Sequence, residues 1–115
     1  MTFERLRVYQ AAEQLDDMII ALVATIPPGH AREVDQLKRA SASVPHNIAE
    51  AHGCDQPGRK TNHLEIARGS VDETRSVLRR LVARGALTLK AIERPSILAR
   101  TVAKMLTSWI RTIEH

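Results

Sequence analysis

Apolar side chains recur along this chain in alternating steps of three and four residues, the spacing that gathers them on one side of an α-helix. From about Glu4 to Ile26 the series Val8, Ala12, Leu15, Ile19, Leu22 and Ile26 keeps that rhythm. Ala11, Met18 and Val23 widen the stripe, whereas Glu13, Asp16 and Asp17 fall away from it. Pro27, Pro28 and Gly29 then end the stretch, because proline has no N–H and restricts the residue before it. A second stretch, Ala31 to His52, carries Val34, Leu37, Ser41, Val44, Ile48 and Ala51 at the same steps. Pro45 lies inside it, so the Ser41 carbonyl loses its helical donor and a kink is expected there. The stripe keeps its phase across the proline, which favours one bent helix over two short ones.

Gly53 to Lys60 (GCDQPGRK) reads as a loop, with Gly53, Pro57 and Gly58 as breakers. A third helix is expected from Lys60 to Arg84, its apolar side formed by Leu64, Ala67, Val71, Thr74, Val77 or Leu78, and Leu81. Gly69 falls within it; a mid-helix glycine costs about 1 kcal/mol relative to alanine, which points to a close helix contact at that position. Gly85 suits a left-handed cap, and Thr88 can cap a fourth helix reaching Glu114. Leu98, Val102, Met105 or Leu106, Trp109 and Ile113 form its seam, with Pro95 as a bend or a fresh start. Helices of roughly 20 residues extend about 30 Å. Connections as short as Pro27–His30 and Gly85–Leu87 make sequential helices antiparallel neighbours. The expected fold is all-α: one domain over residues 1–115, an antiparallel up-and-down four-helix bundle with its second helix kinked at Pro45.

Composition agrees. Hydrophobic residues make up 43% of the chain but aromatic ones only 3%, so the core must be aliphatic. Five glycines and five prolines leave little for the turns of an all-β protein. Glu4, Arg5 and Arg7 do not resemble a secretion signal, and no stretch has the roughly 18 apolar residues of a membrane span. A lone cysteine, Cys54, cannot form an internal disulfide and fits a reducing compartment; the expectation is a cytoplasmic protein. Net charge is +4, unevenly held: residues 1–57 carry 5 Lys/Arg against 8 Asp/Glu, and residues 58–115 carry 12 against 5. That split points to an anionic partner for the second half, or to attraction between unlike halves of neighbouring copies. A solvated surface with a chance bias is the plainer account.

Arg75, Arg79, Arg80 and Arg84 are the foremost candidate site, with Lys38, Arg39 and Arg68 as extensions. Arg75 and Arg79 share a face, as do Arg80 and Arg84, and guanidinium groups grip phosphate bidentately. Cations also suit a helix C-terminus without any ligand. No aromatic platform or known DNA-reading motif accompanies them, so any nucleic-acid contact should be with the backbone. His46, Glu50, His52, Cys54 and His63 offer metal-ligand chemistry, but HxxxE spacing is common by chance and surface polarity explains them as well. Asn47 and Glu50 are read structurally, relieving the carbonyl freed by Pro45, with Arg39 or Arg68 as ion partner of Glu50. Ser41, Ser43 and Ser70 form no evident triad, and no catalytic set or cofactor is expected. Trp109 falls in the seam and reads as core. Phe3, Leu6, Tyr9, Ile20, Leu89 and Ile97 exceed what one seam needs, which favours self-association.

Phe3–Gln10 (FERLRVYQ), Gln36–Ala40 (QLKRA), Ser43–Glu50 (SVPHNIAE) and Ile66–Glu73 (IARGSVDE) together resemble a known group. It comprises small bacterial four-helix bundle proteins first noticed as products of intervening sequences in 23S ribosomal RNA genes. The accessory variability determinant of diversity-generating retroelements is a relative. The resemblance implies an antiparallel bundle assembled as a five-fold ring, basic surfaces and no defined enzymatic activity; the retroelement member binds nucleic acid and a reverse transcriptase. Two departures stand out: Ala51-His52 where glycine commonly follows the acidic residue, and Pro95 where the fourth helix is usually continuous. The primary expectation is therefore a non-enzymatic homo-oligomer, a pentamer, that holds RNA or DNA backbone through its basic half. The alternative is a scaffold docking an acidic protein, with no nucleic-acid role.

Overall fold

Thr2 begins the first helix by placing its hydroxyl 3.3 Å from the Arg5 N–H, filling one of the free donors at a helix start. In the computed structural model, which describes residues 2–114, four helices follow in order: α1 (Phe3–Val23), α2 (Ala31–His52), α3 (Pro57–Ala83) and α4 (Leu89–Glu114). They pack as α1 against α2, α2 against α3, α3 against α4 and α4 against α1, the closed square of an antiparallel four-helix bundle. The longest extent is 45 Å, consistent with α4's 26 residues at about 1.5 Å each.

The α2 boundaries coincide with those expected, and α2 passes through Pro45 without a break. Helix α1 closes at Val23 rather than Ile26: the Thr25 and Ile26 amides reach back only three residues, to Leu22 and Val23. Ile26 still packs on the core. Helix α3 begins at Pro57, inside the expected loop, with Gln56 as its cap. Proline is favourable in the first turn, where its missing N–H would have no partner anyway. Thr88 caps α4 by accepting from the Ala91 N–H at 3.0 Å, and the helix continues unbroken through Pro95.

The core is aliphatic. Leu15, Ile19, Leu37, Val44, Ile48, Leu64, Val71, Leu78, Leu81, Val102 and Leu106 are fully enclosed, and Trp109 is buried at 6% exposure. In α4 the seam centres on Ala99, Val102, Leu106 and Ile110; Leu98, Met105 and Ile113 flank it half-buried. Ala51, which stands at one departure from the resembled pattern, is fully buried. Asp16 does not fall away from the α1 stripe: Ser41, buried on α2, donates to its carboxylate at 2.8 Å.

Gly85, just past the end of α3, and Gly69, inside it, differ. After Arg84, Gly85 takes φ +78°, and the Gly85 and Ala86 amides bond to the Val82 and Leu81 carbonyls, each at 2.9 Å. That pattern closes the helix through a left-handed residue. Gly69, in contrast, is exposed, and a Cβ there would meet nothing within 4 Å. The expected close helix contact at Gly69 is absent. Gly69→Ala should therefore stabilise the fold by roughly 0.5–1 kcal/mol, whereas Gly85→Ala should destabilise it by about 1–2 kcal/mol. Urea unfolding of the two variants reads both signs, and a loss of stability in Gly69→Ala would contradict this account.

Candidate functional site

Arg84 and Arg80 turn from the end of α3 towards the start of α2. Arg84 Nε lies 3.1 Å from Glu33 Oε1, and Arg80 donates to Gln36 Oε1 at 3.2 Å. Glu33 sits in the first turn of α2 and is only 8% exposed. Buried carboxylates need compensation, and here the helix N-terminus and the arginine supply it. Arg39 pairs with Asp35 at 3.2 Å on the open surface of α2. Lys38 is exposed and lies three residues before Ser41, hence on the α2 side that faces α1.

Arg68 marks a different flank. It donates to Thr107 of α4 at 3.2 Å and forks onto Glu65 at 2.8 and 3.0 Å. Arg75 and Arg79 follow Arg68 by 7 and 11 residues and share its face of α3. At 100° per residue they lie about 140° around the helix from Arg80 and Arg84. The expected single strip is thus divided between two flanks.

The contact of Arg68 with Thr107 also sets the register of α3 against α4. In antiparallel helices, Arg75 then comes level with Arg100, and Lys104 and Arg111 lie on the same side of α4, three before and four after Thr107. Arg79, Arg100, Lys104 and Arg111 are exposed, and Arg75 is half-buried. Among the described residues, Arg75, Arg79, Arg100 and Lys104 form no ion pair. Asp72 and Glu93 share the face, which remains net positive with Glu65 included. Sequence reasoning missed Arg100, Lys104 and Arg111. Their steps of four and seven on α4 were visible, but only the register with α3 shows which side they join.

The other candidates disperse. His46, Glu50 and His52 are exposed, and the Cys54 thiol contacts the Gln56 carbonyl at 3.7 Å. No three His, Cys, Asp or Glu among the described residues are placed to hold a metal ion. His63 Nδ1 faces Asn47 Oδ1 at 3.1 Å, and the Asn47 amide donates to the Ser43 carbonyl and hydroxyl at 2.9 and 3.0 Å. Asn47 therefore serves the α2–α3 seam rather than the Ser41 carbonyl. Glu50 pairs with neither Arg39 nor Arg68. Trp109 packs in the core under the Arg5 guanidinium, 4.9 Å from its ring centre. Phe3, Leu6, Ile20, Leu89 and Ile97 are exposed as expected, joined by Ile66, while Tyr9 is half-buried.

Comparison with known proteins gives a consistent result. A family model described as 23S rRNA-intervening sequence protein matches residues 4–108. A crystal structure of a protein with unknown function from the S23 ribosomal protein family, from Bacteroides thetaiotaomicron VPI-5482, shares the fold with TM-score 0.88. Identity is 22%, and the match covers 95% of this chain and 99% of the other. No curated protein matches the chain.

The two arginine flanks differ in what they hold up. Arg84→Ala leaves Glu33 buried with only the helix N-terminus beside it, so stability should fall by about 1 kcal/mol. Arg79→Ala should stay within about 0.5 kcal/mol of the parent. Chemical denaturation of both variants checks the contrast, which fails if the two losses are equal.

Proposed function

Because this chain belongs to the 23S rRNA-intervening sequence protein family, we propose that it is a non-enzymatic, homo-oligomeric bundle that binds nucleic-acid backbone without reading sequence. The observation that carries this reading is the α3–α4 face, where Arg75, Arg79, Arg100 and Lys104 stand without carboxylate partners among the described residues. Unpaired guanidinium and ammonium groups on rigid helices release condensed counterions when they meet phosphates, and that release drives binding at low salt. Arg80, Arg84 and Arg39 contribute less, since Gln36, Glu33 and Asp35 already engage them. Arg68 lies on this face but is already engaged by Glu65 and Thr107, and Lys38 stands apart from it on α2.

Self-association is supported by apolar side chains that the bundle leaves in water. Phe3, Leu6 and Ile20 lie on α1, and Leu89 and Ile97 lie on α4. Exposed apolar side chains on two helices suit contact with further copies, including the head-to-tail contact that closes into rings. The five-fold ring implied by the resemblance is such an assembly, and the protein acts in the cytoplasm in this reading.

Native mass spectrometry should give five times the 12.8 kDa of one chain; a monomer at micromolar concentration would remove the ring. Fluorescence anisotropy with short RNA and DNA should show binding near 50 mM salt that weakens steeply with added salt. Arg75→Glu with Arg79→Glu should weaken it at least tenfold with helicity unchanged. Absence of binding, together with a protein partner retained after nuclease treatment, would favour a scaffold for an acidic protein.

A further inference from the structure

The α3–α4 face has a shape as well as a charge. Arg68, Arg75 and Arg79 form one row along α3, and Arg100, Lys104 and Arg111 form a second along α4. Each row spans 11 residues, about 16 Å at 1.5 Å per residue, and the helix axes of such a pair run about 8–10 Å apart. Both rows grow from continuous helices whose backbones do not need to be ordered on binding.

Single-strand binding surfaces rely on two features. The first is a ring on which a base can stack. Trp109 is buried, Phe3 and Tyr9 belong to α1, and the chain has no other Phe, Tyr or Trp. The second is a groove to track a flexible backbone. The two grooves described, about 470 and 280 Å³, both lie between α1 and α4. What remains is two parallel rows of cations, outnumbering Glu65, Asp72 and Glu93 on the same rigid face.

We infer that the α3–α4 face selects double-stranded over single-stranded nucleic acid, docking on duplex phosphates. This rests on the backbone-binding reading above and adds the form of the ligand. A duplex carries one charge per roughly 1.7 Å of axis, about twice the density of one strand, and its phosphates are already fixed in space. Rigid rows meeting rigid phosphates lose little conformational freedom, whereas a single strand must be ordered with no stacking to offset that cost.

The test is anisotropy with the full chain and three labelled probes: a 20-base-pair RNA duplex, a DNA duplex of the same length, and a 20-nucleotide oligo-uridine that does not fold. Both duplexes should bind at least fivefold tighter than the single strand at about 100 mM salt. With about four phosphate contacts, log K against log salt should slope near −4 for duplex. Arg100→Glu with Lys104→Glu should flatten that slope by about two, while Arg32→Glu, exposed on α2, leaves it unchanged. Equal or tighter binding of oligo-uridine overturns duplex selection and leaves backbone binding standing. Failure of all three probes to bind near 50 mM salt removes both.

Discussion

Ser43 on α2 is the point on which the arrangement turns. Its hydroxyl oxygen receives the Ser70 hydroxyl of α3 at 2.9 Å and the Asn47 amide at 3.0 Å, and Asn47 meets His63 of α3 at 3.1 Å. An aliphatic seam alone tolerates sliding, because dispersion and burial are non-directional. Hydrogen bonds are directional, and a buried hydroxyl or amide moved off its partner loses that bond without regaining water. These contacts therefore fix the register of α2 against α3, the most extensive helix pair in the bundle. Ser41 of α2 does the same for α1, through Asp16 at 2.8 Å.

Register then decides which cations are engaged. With α2 and α3 held by Ser43 and Ser70, the end of α3 arrives beside the start of α2, and Arg84 meets Glu33 while Arg80 meets Gln36. On the opposite side of α3, Glu93 of α4 shares the face, but among the described residues it forms no ion pair. Arg68 reaches Thr107, a neutral hydroxyl, and Arg75 comes level with another cation, Arg100. Arginines that look equivalent along the sequence thus separate into a flank that serves the fold and a flank that faces solvent. The difference comes from what the neighbouring helix offers.

Much of the fold was legible because its signals are local. Periodic Leu, Ile and Val positions located all four helices, and Gly85 and Thr88 marked the end of α3 and the start of α4, whereas Pro27–Gly29 only bounded α1, which closes earlier, at Val23. The errors also have local causes. Pro57 is a breaker within a helix but favourable at its first position, so α3 starts at Pro57, three residues before the Lys60 that the breakers suggest. Gly69 suggested close packing, yet it faces solvent. The candidate site was less readable, since helical spacing gives the angle of a side chain around its own helix and nothing about the helix beside it. Arg75 and Arg79 could be named without their neighbours Arg100 and Lys104, because that adjacency rests on the contact of Arg68 with Thr107.

The same reasoning explains the uneven charge of the bundle. The two arginines of α1 are both drawn onto aromatic rings, Arg5 over Trp109 at 4.9 Å and Arg7 over Phe3 at 5.7 Å. Both lie in the first turns of α1 and are not at the three- or four-residue spacing that would pair them with Glu13 or Asp17. Those carboxylates stay exposed and unpaired among the described residues, and Glu13 raises the pKa of Tyr9 above its ordinary value, chiefly by its charge. An acidic edge on α1 therefore lies diagonally opposite the α3 cations, because α1 packs on α2 and α4 but not on α3. Placed side by side, the two sets would have neutralised each other within one subunit. Held apart by the bundle, each is available only to something outside it.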